Sequence, residues 1–105
     1  MANIIIPTVK SKNNYQFSID LENTTYVFEL YYNTRAGYWT LNLYDDAETL
    51  LIAGVALLLK VNLLDKYTNP ALPQGILHLI NLKEENVEAT FDSLGEDVLL
   101  MYEEA

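Results

Sequence analysis

Few residues in this chain have the chemistry to catalyse a reaction, and the first of them is its single histidine, His78. A neutral imidazole can act as a general base, but the sequence places no serine or threonine beside His78 as a nucleophile. The chain also contains no cysteine, which excludes a thiol nucleophile and disulfides. His78 falls within the apolar stretch ILHLINL, where a packed or surface histidine is the simpler interpretation. The pattern therefore predicts no catalytic residue and no enzyme.

Carboxylates offer a second possible chemistry, the binding of a metal ion. Asp45, Asp46 and Glu48 resemble part of a calcium loop but lack the glycine and the distal glutamate that such a loop requires. The acidic group around Glu84, Glu85 and Glu88 is explained by a solvated loop or by contact with a basic partner. Motifs for phosphate, dinucleotide or zinc binding are absent from the sequence. We therefore predict no metal ion and no cofactor.

Arg35 is the residue whose surroundings indicate binding. It lies in the segment NTRAG, between aromatic residues that include Tyr31 on one side and Tyr38 on the other. Tyrosines are enriched at protein interfaces, and a cation–π contact is worth about 0.5–1 kcal/mol at an exposed site. Arg35 therefore serves either as an intramolecular clasp on these rings or as a contact for a partner protein.

The elements that must position these residues are strands. Three segments alternate apolar and polar residues with a period of two, which is typical of half-buried strands. We expect Asn23 to form the tight turn between the first two strands and Gly37 to close the loop before the third. The residues predicted to face inward are Tyr15, Phe17, Ile19 and Leu21, then Tyr26, Phe28, Leu30 and Tyr32, then Trp39, Leu41 and Leu43.

The second half of the chain adds shorter elements. The run LLIAGVALLL predicts a strand in which Gly54 marks a bulge or a close backbone approach, and ILHLINL predicts another. Short helical turns are expected at residues 63–67 and at 91–94, the latter ended by Gly95, before a last strand from Val98 to Tyr102. The sequence thus predicts a mainly β fold, a small antiparallel β-barrel or sandwich of about six strands. It forms one domain at residues 15–105, preceded by an N-terminal arm at residues 1–14.

Charge and hydropathy narrow the possible partners. Fifteen acidic residues oppose six basic ones, and the segment 83–105 alone has eight acids and one lysine. A polyanion repels phosphate backbones and anionic membranes, so direct nucleic-acid or membrane binding is disfavoured. The longest apolar run is too short for a membrane-spanning helix, and the N-terminus lacks the features of a secretory signal. We therefore expect synthesis in the cytoplasm.

Five motifs occur along the chain in a fixed order: LENTTYVFELYYNTRAGYWTLNLYD, LLIAG, NLLDKY, LPQGILHLIN and DSLGEDVLLMY. With these motifs the chain resembles the family of phage baseplate plug proteins of the cyanophage type, and the resemblance covers about residue 16 to residue 102. Two segments depart from the family pattern: Asn23 stands where a glycine is frequent, and the acidic stretch at Glu84–Glu88 has no counterpart. The positions that carry the resemblance are Tyr32, Asn33, Arg35, Trp39, Asp45, Gly54, Pro73, Gly75, Leu94, Gly95, Val98, Leu100 and Tyr102.

The resemblance implies a structural, non-enzymatic protein of the phage tail baseplate, made in the host cytoplasm and located in the virion. It implies contacts with hub, tube or wedge proteins, made by several symmetric copies. In that setting Arg35 pairs with a carboxylate of a neighbouring protein, or with Asp45 or Asp46 of its own chain. The candidate partner contacts are Tyr31, Asn33, Arg35 and Tyr38. The candidate structural residues are Phe28, Trp39, Leu41, Leu43, Gly54, Gly75 and Gly95.

A second hypothesis uses the negative charge directly. A small acidic phage protein can act as a DNA mimic that inhibits a nucleic-acid-binding protein, provided that its carboxylates are spaced like phosphates on one surface. Such a protein would bind a nuclease or repressor rather than tail proteins.

Overall fold

The computed structural model describes residues 3–9, 14–59, 61–65, 67, 71–83, 88, 90, 91 and 93–104. In this part of the chain, seven antiparallel strands form two sheets that do not close into a barrel, so the fold is a sandwich. The mainly β prediction is confirmed. The strands are β1 (Asn3–Ile5), β2 (Asn14–Leu21), β3 (Thr24–Asn33), β4 (Tyr38–Asp45), β5 (Leu50–Ala56), β6 (Ile76–Asn81) and β7 (Val98–Glu103).

The larger sheet has the strand order β2-β3-β4-β5, so each strand pairs with its neighbour along the chain. The turn between β2 and β3 consists of Glu22 and Asn23, with φ angles of 54° and 64°. Two successive residues with positive φ define a type I′ turn, whose twist matches that of the flanking strands. This turn fixes the register, in which Phe17 lies opposite Phe28.

The strand predicted from LLIAGVALLL is β5 at the edge of the larger sheet. Its register with β4 shifts on both sides of the Leu43–Ile52 pair, and Gly54 has a φ of 72°. The shift is the irregularity that the internal glycine predicts.

The smaller sheet has the order β1-β7-β6, with β7 at its centre. Its first strand, β1, falls within the segment that the sequence predicts as an arm. Ile4 lies opposite Tyr102 of β7, and the Ile6 amide continues the contact by donating to the Leu100 carbonyl at 2.8 Å. The first residues of the described chain therefore pair with its last strand.

The two segments predicted as short helical turns are turns without a helix. In the first, the Tyr67 amide donates to the Leu64 carbonyl at 3.1 Å, and in the second the Ser93 amide donates to the Thr90 carbonyl at 3.3 Å. The described residues contain no helix, and hence none long and apolar enough to cross a membrane.

The core is centred on Trp39, whose side chain has 0% of its surface exposed. The indole ring stacks on Phe91 at 6.1 Å between centroids and meets Tyr15 and Tyr32 edge-on. Its Nε1–H donates to the Thr90 carbonyl at 2.9 Å, which satisfies the one polar atom of the ring. Trp39 thus attaches the segment before β7 to the larger sheet.

A second link between the sheets is the hydroxyl of Tyr102, which is buried on β7. It donates to Glu22 Oε2 at 2.6 Å and accepts the Gly75 amide at 2.7 Å. A Cβ atom at Gly75 would overlap the Glu103 carbonyl oxygen and the Tyr102 ring, so this approach requires glycine. Burial, followed by the hydrogen bond to Glu22, raises the pKa of Tyr102 well above its ordinary value.

We predict that Trp39→Ala lowers the free energy of unfolding by about 3–5 kcal/mol, because it removes a large ring from a filled core. Urea unfolding measures this change. The control is Tyr38→Ala, which truncates a half-buried aromatic on the opposite face of the same strand and should cost less than about 1 kcal/mol. An unchanged unfolding midpoint for Trp39→Ala would contradict the core position.

We also predict that stability falls as the pH rises above about 10, the ordinary tyrosine pKa. Burial raises the pKa of Tyr15, Tyr26 and Tyr102 in the folded chain. A group with a raised pKa stabilises the fold fully below its unfolded pKa, and that stability is lost at higher pH because the unfolded state ionises first.

Urea unfolding of wild type and Tyr102→Phe between pH 7 and pH 11 checks the assignment. At pH 7 the variant should lose about 1–3 kcal/mol, because the partly buried Glu22 carboxylate and Gly75 amide lose their hydrogen bonds to the hydroxyl. Above pH 10 its stability should decline less steeply than that of wild type. Tyr38→Phe is the matched control, since no hydrogen bond of its hydroxyl occurs in the described part of the chain. Parallel declines in all three proteins would contradict the role of Tyr102.

Candidate protein interface

The loop between β3 and β4 presents Arg35 at one end of the larger sheet. The Asn33 side-chain oxygen accepts the Ala36 amide at 3.0 Å, and the Asn33 carbonyl accepts the Gly37 amide at 2.7 Å. Gly37 has a φ of 81°, a conformation that side chains disfavour. These bonds form a defined tip in which residues 34–37 are all exposed.

Arg35 makes no ion pair or ring contact with any residue that the structure describes. Pairing with Asp45 of its own chain is ruled out by geometry, because the strand β4 separates the two ends of the sheet by roughly 24 Å. The Asp45 carboxylate is also occupied, since its Oδ1 accepts the amides of Ala47 and Thr49 at 2.9 Å each. The intramolecular clasp is therefore not formed in the described chain, and the guanidinium faces solvent.

The other three candidate partner contacts surround this tip. Tyr31 and Tyr38 lie half-buried on the outer face of the larger sheet, and Asn33 pairs with Tyr38 across the β3–β4 ladder. The Asn33 side chain is directed into its own loop, where it supports the position of Arg35. The tip thus combines one exposed cation with two partly exposed tyrosines.

The candidate structural residues fall into two groups. Phe28, Trp39, Leu41 and Leu43 are fully buried in the core. The three glycines lie in backbone positions that a side chain would disturb. Gly54 is exposed and donates to Asn42 Oδ1 at 2.9 Å, Gly75 packs against Tyr102, and Gly95 has a φ of 94° and donates to the Val98 carbonyl.

An apolar surface on the smaller sheet is absent from the sequence-based predictions. On the outer face of this sheet, Ile5, Met101 and His78 form one row across the three strands. Ile5 and the neighbouring Ile76 have 58% and 43% of their surfaces exposed. The signal was available in the stretches ILHLINL and VLLMY, which are apolar on both strand faces rather than alternating.

His78 lies within this apolar surface and not in a cleft. Its Nε2 is 3.4 Å from Glu103 Oε2, an ion pair when the ring is protonated. In the described residues, no cluster of three or more histidine or acidic side chains could hold a metal ion. Glu84 and Glu85 lie outside the described residues, whereas Glu88 Oε1 accepts the Leu59 amide at 2.7 Å.

A groove of about 310 Å³ has Asp65 as the one ionisable group among its described lining residues. It is bounded by the end of β5 and the following segment, with Val55, Leu58 and Val61 among its lining residues. A single carboxylate in an apolar groove does not provide an acid–base pair.

These features define a small β-sandwich whose candidate binding groups, the Arg35 tip and the apolar outer face of the smaller sheet, lie on its surface. The family model described as cyanophage baseplate Pam3 plug gp18 matches residues 3–105, essentially the whole chain. The chain therefore belongs to this family of phage baseplate plugs, which places it in the virion, in the tail baseplate. A baseplate plug is a structural component of the phage, and membership of this family argues against an enzymatic activity. No curated protein matches the sequence.

Proposed function

We propose that the protein is a plug or hub-associated component of the tail baseplate that acts through protein–protein contacts during virion assembly. Several symmetric copies bind hub, tube or wedge proteins, and no copy binds nucleic acid directly. The whole-chain family match is the observation that carries this proposal. The exposed Arg35 tip and the apolar outer face of the smaller sheet supply surfaces of the required kind.

The DNA-mimic hypothesis is less well supported, because many carboxylates are engaged within the chain. Glu29 Oε1 accepts Asn42 Nδ2 at 3.0 Å and the Tyr44 hydroxyl at 2.8 Å. Glu22 is held by Tyr102, and Asp97 lies 3.5 Å from Lys83. A phosphate mimic needs free carboxylates at regular spacing, whereas these groups support the local fold.

Mass spectrometry of purified, tail-bearing virions tests the proposed role. We expect peptides of this chain at a constant ratio to a tail protein across independent preparations. A phage protein that is abundant in infected cells but not part of particles provides the contamination control. Absence of the chain from particles, together with abundance in infected cells, would overturn the baseplate role and favour the mimic.

The contribution of Arg35 is tested by Arg35→Ala. We expect the isolated variant to unfold within about 0.5 kcal/mol of wild type, because the side chain is exposed. Incorporation into particles should fall about tenfold or more, since a charge-assisted hydrogen bond contributes about 1.5–3 kcal/mol. Quantitative mass spectrometry of particles measures the copies incorporated.

Lys83→Ala is the matched control for this prediction. It removes the same single positive charge, but Lys83 is paired with Asp97 of its own chain. Its incorporation should therefore match that of wild type. Equal losses of stability and incorporation in Arg35→Ala would indicate an intramolecular role, and equal incorporation of both variants would remove Arg35 from the interface.

A further inference from the structure

The free edge of β2 differs from the other described sheet edges. β6 is covered by the preceding segment, because Leu59 bridges to Leu79 and the Leu63 amide donates to the Leu77 carbonyl at 2.8 Å. β1 has three residues, and β5 has an irregular register with a positive φ at Gly54. Short length, irregularity and coverage are the means by which proteins prevent unwanted strand pairing.

Among the described residues, which leave out residues 10–13 before the strand, none of these protections is found on β2. The strand has eight residues in an unbroken one-to-one register with β3, and its sequence NYQFSIDL contains neither proline nor lysine. Among the described strands it contacts β3 alone. A long, regular and uncovered edge can pair with a strand from another chain.

The hydrogen-bonding phase identifies which backbone groups face this edge. The type I′ turn makes Leu21 and Thr24 a hydrogen-bonded pair, and such pairs then alternate along an antiparallel ladder. A second observation gives the same alternation. The Leu57 amide donates to the Trp39 carbonyl at 2.9 Å, so the odd-numbered residues of β4 bond away from β3 and its even-numbered residues bond to β3. The odd-numbered residues of β2 therefore bond to β3. The amides and carbonyls directed to the free edge belong to Asn14, Gln16, Ser18 and Asp20.

The side chains beside this edge define the chemistry of a partner. Towards the core, Phe17 and Ile19 are only partly buried, so apolar side chains of an added strand would cover them. On the outer face, Gln16 and Ser18 border a cavity of about 290 Å³ that Asp46 and Glu48 also line. Basic side chains of an added strand would face these carboxylates.

We propose that β2 is a docking strand that accepts, by strand addition, an extended segment of another baseplate protein with alternating apolar and basic residues. The proposal rests on the baseplate role given above. A second copy of this chain fits the edge less well, because its own β2, with the sequence NYQFSIDL, has no basic residue to face the Asp46 and Glu48 carboxylates. Main-chain hydrogen bonds would supply the affinity and the alternating side chains the specificity.

Residue-resolved hydrogen exchange tests this proposal on the wild-type chain, free and in isolated baseplates. Strand addition should slow exchange of the amides of Gln16, Ser18 and Asp20 by about tenfold or more in the baseplate. The intervening amides of Phe17 and Ile19, already bonded to β3, should change much less. Unchanged exchange, or equal slowing at adjacent residues, would overturn strand addition in favour of no contact or side-on packing.

A variant pair tests whether the edge is required for assembly. Ser18→Pro removes one edge-facing amide hydrogen, and proline is tolerated at such positions of an edge strand. Ser18→Ala removes the hydroxyl but keeps the amide. We expect incorporation into particles to fall about tenfold or more for Ser18→Pro and to be unchanged for Ser18→Ala. Wild-type incorporation of a folded Ser18→Pro would overturn the proposal, and if that variant does not fold, the exchange pattern of wild type decides.

A photocrosslinking residue at Gln16 identifies the occupant in assembled baseplates. Crosslinks to an alternating apolar and basic segment of another baseplate protein would support the proposal, whereas crosslinks to β2 of a second copy would overturn the assigned partner. Failure of the baseplate role is distinct, because the wild-type chain would then be missing from particles altogether.

Discussion

The hydroxyl of Tyr102 is the interaction on which the arrangement of the two sheets depends. It joins Glu22 in the first hairpin turn to the Gly75 amide at the start of β6, so one buried oxygen connects three distant segments. The hydroxyl must stay protonated to donate to Glu22, and burial raises its pKa further above its ordinary value. Two backbone features accompany this contact: Gly75 has no Cβ atom that would overlap the Tyr102 ring, and Glu22 has a positive φ in the hairpin turn. Trp39 provides the second link, through its stacking on Phe91 and its bond to Thr90.

The larger sheet could be predicted from the sequence because the residues that define its strands and turns are close together along the chain. The alternation in β2, β3 and β4 and the turn residues Asn23 and Gly37 specify three consecutive strands and their register. β1 was not predicted as a strand, because a three-residue strand has no usable periodicity and is defined by its pairing with β7, almost a chain length away. The turns at residues 63–67 and 91–94 carry helix-like apolar spacing. Their described residues form hydrogen-bonded turns and no helix, and apolar spacing alone does not distinguish a turn from a short helix.

The candidate interface was predictable to the extent that it depends on turn chemistry. Asn33 and Gly37 fix a loop, and a loop tip exposes Arg35. Excluding the suggested pair between Arg35 and Asp45 required knowledge of β4, because the length of this strand keeps the two side chains apart. The apolar outer face of the smaller sheet was missed because the sequences of β6 and β7 resemble those of fully buried strands. Only the topology shows that the described residues leave one face of these strands uncovered. The contact between Tyr102 and Glu22 has no sequence signal, since it joins residues that only the packed sheets bring together.

Charge is distributed unequally between the two ends of the larger sheet. Arg35 lies at the end where β2 begins, whereas Asp20, Asp46 and Glu48 lie at the end of the β2–β3 and β4–β5 turns. These ends are separated by roughly 24 Å, more than two Debye lengths at physiological ionic strength, so each acts on its own surroundings. The basic residues of a segment proposed to add to β2 would therefore be attracted to the end that holds Asp20, Asp46 and Glu48 and repelled near Arg35. A segment whose basic residues lie towards the acidic end is favoured, and this difference selects its register on β2.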